Sequence, residues 1–280
     1  MSQYVTKIRT DKGDLPVDYN ALANLPTISN PNLLINSDFR NPVNQRGQTS
    51  YTGTGSTILY TIDRWCVVNG SILTIQDDSL KIQVSSNDTY TGRFKQVFEK
   101  AFPSDFYTLS MKVKSNSHKI SVSNFGTIEA GFTGIYSYTT ALKLALADLE
   151  FYIAMGASVE IEWIKLEQGT VATTFVPRLY AEELALCQRY YEKRTVVFFP
   201  YGGVTPTTYY LAVNGSDHRV TKCQLPKITS SALTDHNNVS AGVDFSSATQ
   251  SKDGIRLMTV SASCDEYLLR SDIEFDAEIY

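Results

Sequence analysis

The chain has 280 residues and a formal net charge of −4 at pH 7, and its charged fraction of 19% is below the roughly 25% of an average globular protein. Ser and Thr contribute roughly a fifth of the residues, beside 17 Tyr and 13 Phe, and this mixture favours strands over a helical bundle or a coiled coil. The acidic balance excludes a general basic surface for nucleic acid, and the sequence has no 18-residue apolar run that could span a membrane. We therefore expect neither a nucleic-acid partner nor membrane insertion.

Residues 1–30 are predicted to form a leader without a core of its own. Turn signals interrupt this segment, with GDLP at 13–16 and LP at 25–26, and its few apolar residues cannot bury a core. Its start also lacks the apolar stretch of a secretory signal. We expect the leader to thread along a partner or to become ordered by self-association.

Residues 31–178 consist of short apolar runs between polar turns. Several runs alternate with period two, as half-buried antiparallel strands do. About nine strands in some 145 residues predict a two-sheet β-sandwich. Residues 141–149 could be helix or strand. The predicted strands, in chain order, cover residues 32–36, 58–62, 71–75, 80–84, 93–98, 107–113, 119–122, 149–153 and 159–166.

A linking α-helix is predicted over 180–193, within a connecting segment at 179–194. Pro177 precedes it, and Glu182 and Glu183 suit the positive end of its dipole. Lys193 and Arg194 would close its other end. The apolar positions that recur at helical spacing, and so predict one buried stripe, are Leu184, Cys187, Tyr190 and Tyr191.

Residues 195–280 return to strands and predict a small C-terminal β-sandwich domain that depends on copies of itself for burial. Asn-Gly at 214–215 and Asp-Gly at 253–254 are strong signals for tight turns. The predicted strands cover residues 196–199, 208–213, 220–225, 255–260 and 271–279. The whole chain is therefore expected to be all-β apart from the helix.

Little in the sequence indicates catalysis, so we expect no enzyme activity. The four cysteines are far apart and form no CxxC pair, so reduced thiols are expected rather than a zinc site. No GxSxG, HExxH or P-loop motif is present. Glycan-degrading enzymes need paired carboxylates in a cleft. The close acidic pairs before the terminal strand are Asp77 and Asp78 in a turn, Glu160 and Glu162 on a strand, and Glu182 and Glu183 at the helix start.

Several stretches resemble phage and prophage tail fibre proteins. NLLINSDFRNPVNQRG at 32–47 and YTIDRW at 60–65 are similar to the opening of their carbohydrate-binding-like domains, and IKLEQGTVAT at 164–173 is similar to the close of that domain. The most specific match is FVPRLYAEELALCQRYY at 175–191, which resembles the junction with a distal domain. The leader also resembles tail fibre leaders, in YVTKIR at 4–9 and DYNALANLP at 18–26. Residues 195–270 match only in strand pattern.

The resemblance implies a virion structural protein of the phage tail, usually a homotrimer, with a jelly-roll central domain. Residues 1–30 would attach it to a tail or baseplate protein, and the β-sandwich domains would bind host surface polysaccharide during adsorption. The alternatives are a glycan-degrading tail spike and a purely structural tail connector.

Exposed aromatic residues with polar neighbours are the candidate glycan-binding residues, because sugar sites combine aromatic platforms with polar rims. The same loops could instead be ordinary turns and trimer contacts. Trp65, in Asp63-Arg64-Trp65, is either a sugar platform or a core residue beside a local Asp63–Arg64 pair. The candidates are Trp163, Tyr136, Tyr138, Tyr201, His236 and Asn237.

No cofactor is expected, and calcium remains an open alternative. Jelly-rolls that resemble this domain often hold calcium near their first and last strands, where Asp38 and Glu167 could supply carboxylates. Arg40 stands where many such domains have an acidic residue, which weakens the resemblance at this point.

Overall fold

The computed structural model of the chain describes residues 7–10, 13–16, 29–85, 91–198, 207–211, 220–230, 242–244, 250–251, 254–255, 258–262 and 269–279. Antiparallel strands make up nearly all of the regular structure, and one α-helix links two strand-rich parts of the described chain. The predicted class, an all-β chain with a jelly-roll β-sandwich and a linking helix, is confirmed.

Twelve strands build the central sandwich. In chain order these are β3 (Ser50–Thr52), β4 (Leu59–Tyr60), β5 (Cys66–Val68), β6 (Ser71–Ile75), β7 (Leu80–Val84), β8 (Gly92–Phe102), β9 (Phe106–Asn116), β10 (Ile120–Val122), β11 (Thr127–Ile128), β12 (Gly134–Ala141), β13 (Leu146–Ile153) and β14 (Ser158–Gln168). They are preceded by a hairpin of β1 (Lys7–Thr10) and β2 (Gly13–Pro16), which lies in the predicted leader.

The sandwich has two six-stranded antiparallel sheets. The first sheet has the order β12-β9-β14-β7-β6-β3, and the second has the order β11-β10-β13-β8-β5-β4. Side chains alternate along each strand, so one set from each sheet fills the space between them. This core contains Trp65, which is fully buried, stacked on Phe94 at 4.6 Å and edge-on to Phe39 at 5.4 Å. Trp65 is therefore a core residue and not a sugar platform.

The predicted strands correspond closely to the observed ones where alternation was strict. The runs 71–75 and 80–84 are strands β6 and β7, and residues 146–149 of the ambiguous stretch 141–149 belong to strand β13. The predicted strand at 32–36 is wrong. Leu33 donates its backbone N–H to Leu166 of β14 at 2.8 Å, but the chain bends there because Asn36 takes a left-handed φ of 56°.

The helix is shorter than predicted. Helix α1 (Tyr180–Gln188) ends five residues before Lys193, and the chain enters strand β15 (Tyr191–Phe198) directly. Of the predicted stripe, Cys187, Tyr190 and Tyr191 are buried. The helix ends early because residues 191–198 pair along their whole length with residues 269–276, from Tyr191 opposite Asp276 to Phe198 opposite Leu269.

Small antiparallel sheets follow the helix. Their strands are β16 (Thr207–Leu211), β17 (Lys227–Ser230), β18 (Gly242–Asp244), β19 (Gln250–Ser251), β20 (Gly254–Ile255), β21 (Met258–Ala262) and β22 (Leu269–Asp276). Two three-stranded sheets, in the orders β15-β22-β17 and β16-β21-β18, accompany the β19-β20 hairpin. Residues 220–225, predicted as a strand, are irregular. Lys222 in this segment is buried, and its ammonium forms an ion pair with Glu192 at 2.6 Å. This side-chain ion pair, rather than backbone pairing with a neighbouring strand, holds the segment in place.

Residues at the end of the chain lie directly on the sandwich. Tyr60 of β4 donates its hydroxyl to the backbone carbonyl of Ile279, and Gln45 donates to the carbonyl of Tyr191 at 2.7 Å. This junction brings the start of β15 and the end of β22 against the loops that precede β3 and β5. The division of the chain at residues 30, 178 and 194 stays a prediction.

Candidate functional site

Trp163, a predicted glycan platform, lies on the outer face of the first sheet and is covered on one side. Its ring stacks on Phe175 at 4.7 Å with an interplanar angle of 4°, and the Arg40 guanidinium lies 5.7 Å from the Phe175 ring. Phe175 belongs to the segment that returns across this face after β14. One face of the indole is therefore used for packing within the chain.

Tyr136 and Tyr138 lie at the edge of the same sheet but on its opposite face. Their strand partners on β9 are the buried Met111 and Leu109, whereas Trp163 pairs with Lys112. The Tyr136 hydroxyl donates to the carbonyl of Phe125 at 2.7 Å, and 42% of Tyr138 is exposed. The sheet therefore separates these tyrosines from Trp163.

The remaining predicted glycan residues are Tyr201, His236 and Asn237, and they lie outside the described residues. Glycan binding by all six predicted residues stays a prediction.

The two carboxylates considered for calcium lie apart and have partners within the chain. Asp38 pairs with Arg40 at 2.6 Å and forms a backbone bridge to Trp163. Glu167 is four residues further along β14, about 13 Å at ~3.3 Å per residue, too far for both to ligate one ion. Glu167 is fully buried and accepts a bond from the Thr173 backbone N–H at 2.9 Å. Among the described residues, no group of three or more His, Cys, Asp or Glu side chains could hold a metal ion.

A cavity of about 470 Å³ opens where the end of the chain meets the sandwich. We call it the junction cleft. Its volume lies within the usual range of small-ligand sites, about 300–1,000 Å³. It combines tyrosine rings, two carboxylates, a guanidinium and an amide. The residues that line it are Arg46, Gln48, Tyr51, Thr52, Ile58, Leu59, Tyr60, Tyr191, Glu274 and Asp276.

Arg46 joins the wall of the cleft to a buried ionic network. Its guanidinium lies 3.2 Å from the Asp63 carboxylate and 3.6 Å from the Glu278 carboxylate. It also lies 3.8 Å from the centre of the Tyr191 ring and 5.7 Å from that of Tyr60. Only 12% of the Arg46 side chain is exposed, so packing and charge both hold it in place.

Burial changes the titration of the groups around Arg46. It raises the pKa of Asp63 to about 7, although Arg46 and bonds from Gln45 act in the opposite direction. Burial also raises the pKa of the Tyr191 hydroxyl, and the nearby Glu274 carboxylate adds to this shift. The Asp63 carboxyl and the Tyr191 hydroxyl therefore favour their neutral forms more than exposed groups of the same type do.

Arg64 and Glu278 form the innermost part of the same network. The Arg64 guanidinium donates to the Glu278 carboxylate and to the carbonyl of Val97, and it stacks 3.6 Å from the centre of the Tyr190 ring. Asp63 and Arg64 therefore do not pair with each other, because Asp63 pairs with Arg46 and Arg64 pairs with Glu278.

Two other surfaces are less suited to a ligand. A cavity of about 490 Å³ is bordered by Asp105 and Gln168, but the Gln168 amide already donates to the Asp105 carboxylate at 2.5 Å. On the outer face of the second sheet, Glu150 accepts from Arg93 at 3.4 Å and from the Tyr152 hydroxyl at 2.6 Å. On both surfaces these polar side chains already bond to each other, which makes the surfaces less suited to a ligand.

The residues of the junction cleft had not been predicted as a site. Arg46, Tyr60 and Tyr191 occur within the stretches that resemble tail fibre proteins, but no spacing relates them to Glu274 or Asp276. The closest of these three residues, Tyr191, is 83 positions before Glu274 in the chain. No local pattern could therefore have revealed the cleft.

In the part of the chain that the structure describes, no helix is both long enough and apolar enough to cross a membrane. No family model matches the chain, and no curated protein matches it in sequence.

Among solved structures, the chain is similar to carbohydrate-binding modules. A variant of a family 29 module is 14% identical, with 43% of this chain and 92% of the module covered and a TM-score of 0.30. Another variant of that module, complexed with mannohexaose, is 14% identical over 42% of this chain and 90% of its own, also at 0.30. The ligand-free CBM1 module of BiXyn10A is 12% identical over 48% and 99%, at 0.32.

Proposed function

We propose that the chain is a receptor-binding protein of a phage or prophage tail, and that it binds host surface glycan without degrading it. The observation that carries the glycan proposal is the junction cleft. Tyrosine rings, carboxylates, a guanidinium and an amide converge there around a volume suited to a short saccharide. The sequence resemblance to tail fibre proteins supports the role in the virion.

Sugar recognition requires hydrogen-bonding groups that are held in fixed positions beside apolar ring surface. Arg46 meets this requirement because Asp63 and Tyr191 hold its guanidinium at the cleft wall. Gln48 and Thr52 add exposed polar groups at the rim. The cleft would therefore bind a polyol without first ordering its own walls.

The test is a glycan array of bacterial surface polysaccharides, probed with the full chain and with two matched variants. Thr52→Trp would fill the cleft, whereas Ser50→Trp places the same ring on the same exposed face of β3, outside the lining. We expect the first variant to lose glycan binding and the second to retain it. Equal binding by both variants would reject the cleft as the site.

A glycan-degrading spike is the competing function, and a reducing-end assay on every bound polysaccharide distinguishes the two. We expect no release of reducing ends. Product release would reject the proposal of binding alone. A structural connector, the third possibility, predicts no binding on the array.

We further propose that the protein is a homotrimer attached to a tail or baseplate protein through residues 1–30. Exposed apolar side chains before and at the start of α1 support self-association, since Val176 is 59%, Leu179 72% and Tyr180 48% exposed. Mass photometry should give a particle of three 31.2 kDa chains. Antibodies against the chain should label the tails of particles made from the genome that encodes it, and label elsewhere would reject this location.

A further inference from the structure

We propose that Asp63 positions the wall of the junction cleft, and that the cleft binds glycan tightly only while the Asp63 carboxyl group is ionised. This inference rests on the proposed glycan binding and adds its regulation by pH. Asp63 is fully buried and does not line the cleft, so it would act through the residues that it holds.

Asp63 holds two residues of the loop before β3. Its carboxylate accepts hydrogen bonds from the Gln45 backbone N–H at 3.3 Å, from the Gln45 side-chain amide at 2.7 Å and from the Arg46 guanidinium at 3.2 Å. The same Gln45 amide donates to the carbonyl of Tyr191 at 2.7 Å. Because Arg46 and Tyr191 both line the cleft, this one carboxylate helps to fix two of its wall residues.

The Asp63 backbone is itself held by two hydrogen bonds. Its N–H donates to the carbonyl of Val43 at 3.2 Å, and its carbonyl accepts from the Asn36 amide at 2.8 Å. A change at the carboxyl group would therefore move the residues that it holds rather than Asp63 itself.

Protonation of Asp63 conflicts with its contacts. The three hydrogen bonds to its carboxylate all come from N–H groups, and a protonated carboxyl group carries a hydrogen on one oxygen that cannot face such a donor. The charge attraction to Arg46 is lost as well. Glu278, at 3.6 Å, and Asp276 continue to attract the guanidinium, so we expect Arg46 to leave its position at the cleft wall.

The charged and titratable groups that face Asp63 come from several elements of the described chain. They are Arg46 of the loop before β3, Tyr51 of β3, Cys187 of α1, Tyr191 of β15 and Glu278 near the end of the chain. Burial raises the pKa of both tyrosines and of the cysteine, so these groups stay neutral between pH 5 and 8. Burial raises the pKa of Asp63 to about 7, which places its titration inside this range.

The experiment measures affinity against pH with an uncharged probe, so that titration of the sugar does not contribute. The probe is the most strongly bound uncharged polysaccharide of the glycan array, and calorimetric titration of the full chain gives its dissociation constant. We expect the affinity to rise about tenfold between pH 5 and 8. Near pH 7, binding should release part of a proton, which is measured as different heats of binding in two buffers of unlike ionisation enthalpy.

Two matched variants assign the pH dependence to Asp63. Asp63→Asn removes the charge at every pH, so it should bind weakly across the range and release no proton. The control is Asp105→Asn, because Asp105 also accepts from a glutamine amide, that of Gln168 at 2.5 Å, but lies outside the lining of the junction cleft. This variant should keep the rise in affinity, and a flat profile in both variants would overturn the assignment.

A third variant tests whether Asp63 acts through the guanidinium. Arg46→Gln should weaken binding at pH 8 and remove most of the rise with pH, whereas a rise that persists would overturn this route. Urea denaturation at each pH checks that the fold is retained. Protonation of Asp63 should stabilise the folded chain while it weakens binding, so the two profiles should have opposite slopes.

The outcomes separate this inference from the function on which it rests. Affinity that is constant or falls between pH 5 and 8 overturns the regulation by Asp63 and leaves glycan binding intact. If no uncharged polysaccharide binds at either pH, this inference fails. If the whole array is blank, the proposed glycan binding fails with it.

Discussion

Arg64 and Glu278 lie 214 residues apart in the sequence and form an ion pair whose side chains are only 1% and 0% exposed. Arg64 adopts a left-handed φ of 72°, a conformation that non-glycine residues seldom take, and its guanidinium stacks on Tyr190. The pair therefore connects residue 278 to the sandwich. Because neither side chain is exposed to water, each charge is compensated by the other.

Glu278→Gln should lower the free energy of unfolding by about 3–5 kcal/mol, because it leaves the buried Arg64 charge without its partner. Urea denaturation measures this change. The matched control is Glu129→Gln, which breaks a pair with Lys119 whose side chains are 57% and 74% exposed. That variant should change stability by less than about 1 kcal/mol. An equal loss of stability in the two variants would show that burial does not determine how much an ion pair contributes to the free energy of unfolding.

Asp63 should make the protein less stable as the pH rises. Its pKa of about 7 in the folded chain exceeds the ~3.9 of an unperturbed aspartate, so the unfolded chain releases this proton first. Stability contributed by the protonated form is complete below pH ~4 and declines as the pH rises toward 7. Between pH 5 and 8 we expect a loss on the order of 2 kcal/mol, which Asp63→Asn should largely remove.

The control for this pH profile is Asp105→Asn. A hydrogen bond from Gln168 lowers the pKa of Asp105, so its linkage to folding lies at acid pH, below this window. The variant should therefore leave the slope between pH 5 and 8 unchanged. A wild-type profile that is flat or rises across this window would contradict the role of Asp63.

Lys165 and Glu167 should show strong coupling in a double-mutant cycle. The two charges lie 3.3 Å apart with 1% and 0% exposure, and the ammonium also contacts Ser29 and Thr173 at 3.0 and 2.5 Å. Lys165→Met or Glu167→Gln alone should cost about 3–5 kcal/mol, because each leaves one buried charge uncompensated. The double variant should lose clearly less than the sum, with a coupling above about 1 kcal/mol.

The exposed pair of Lys114 and Asp78, at 2.6 Å, provides the comparison for that cycle. Its side chains are 32% and 60% exposed, so its coupling should be much weaker than that of Lys165 and Glu167. If Lys165 and Glu167 couple no more strongly, the segment around Thr173 does not exclude water from them.

The two tryptophans should differ in their contribution to stability. Trp65→Ala removes a fully buried ring between Phe39 and Phe94, and should cost about 3–5 kcal/mol. Trp163→Ala should cost roughly 1–2 kcal/mol, because stacking on Phe175 is its main ring contact and the residue is partly exposed. Thermal unfolding compares the two, and Trp65→Phe provides a milder variant if the alanine variant does not fold.

Local pattern predicted much of the fold. Strict alternation located β6 and β7 to the residue, because side chains of period two can form one buried face only in a strand. Helical spacing and the basic residues at 193–194 extended the predicted helix to Lys193, where the structure has strand β15. Helical spacing of Tyr190 and Tyr191 is compatible with either element over so few residues, and pairing with β22 decided between them.

The sequence by itself determined that this chain is built of antiparallel strands, since alternation and composition act between near neighbours. Only the tertiary structure decided which polar groups meet. Arg46 and Asp276 line one cleft although they are 230 positions apart, and the buried Arg64 finds its partner at Glu278. Contacts at that separation depend on how the sheets stack and where the chain end lies, and no short-range periodicity encodes either.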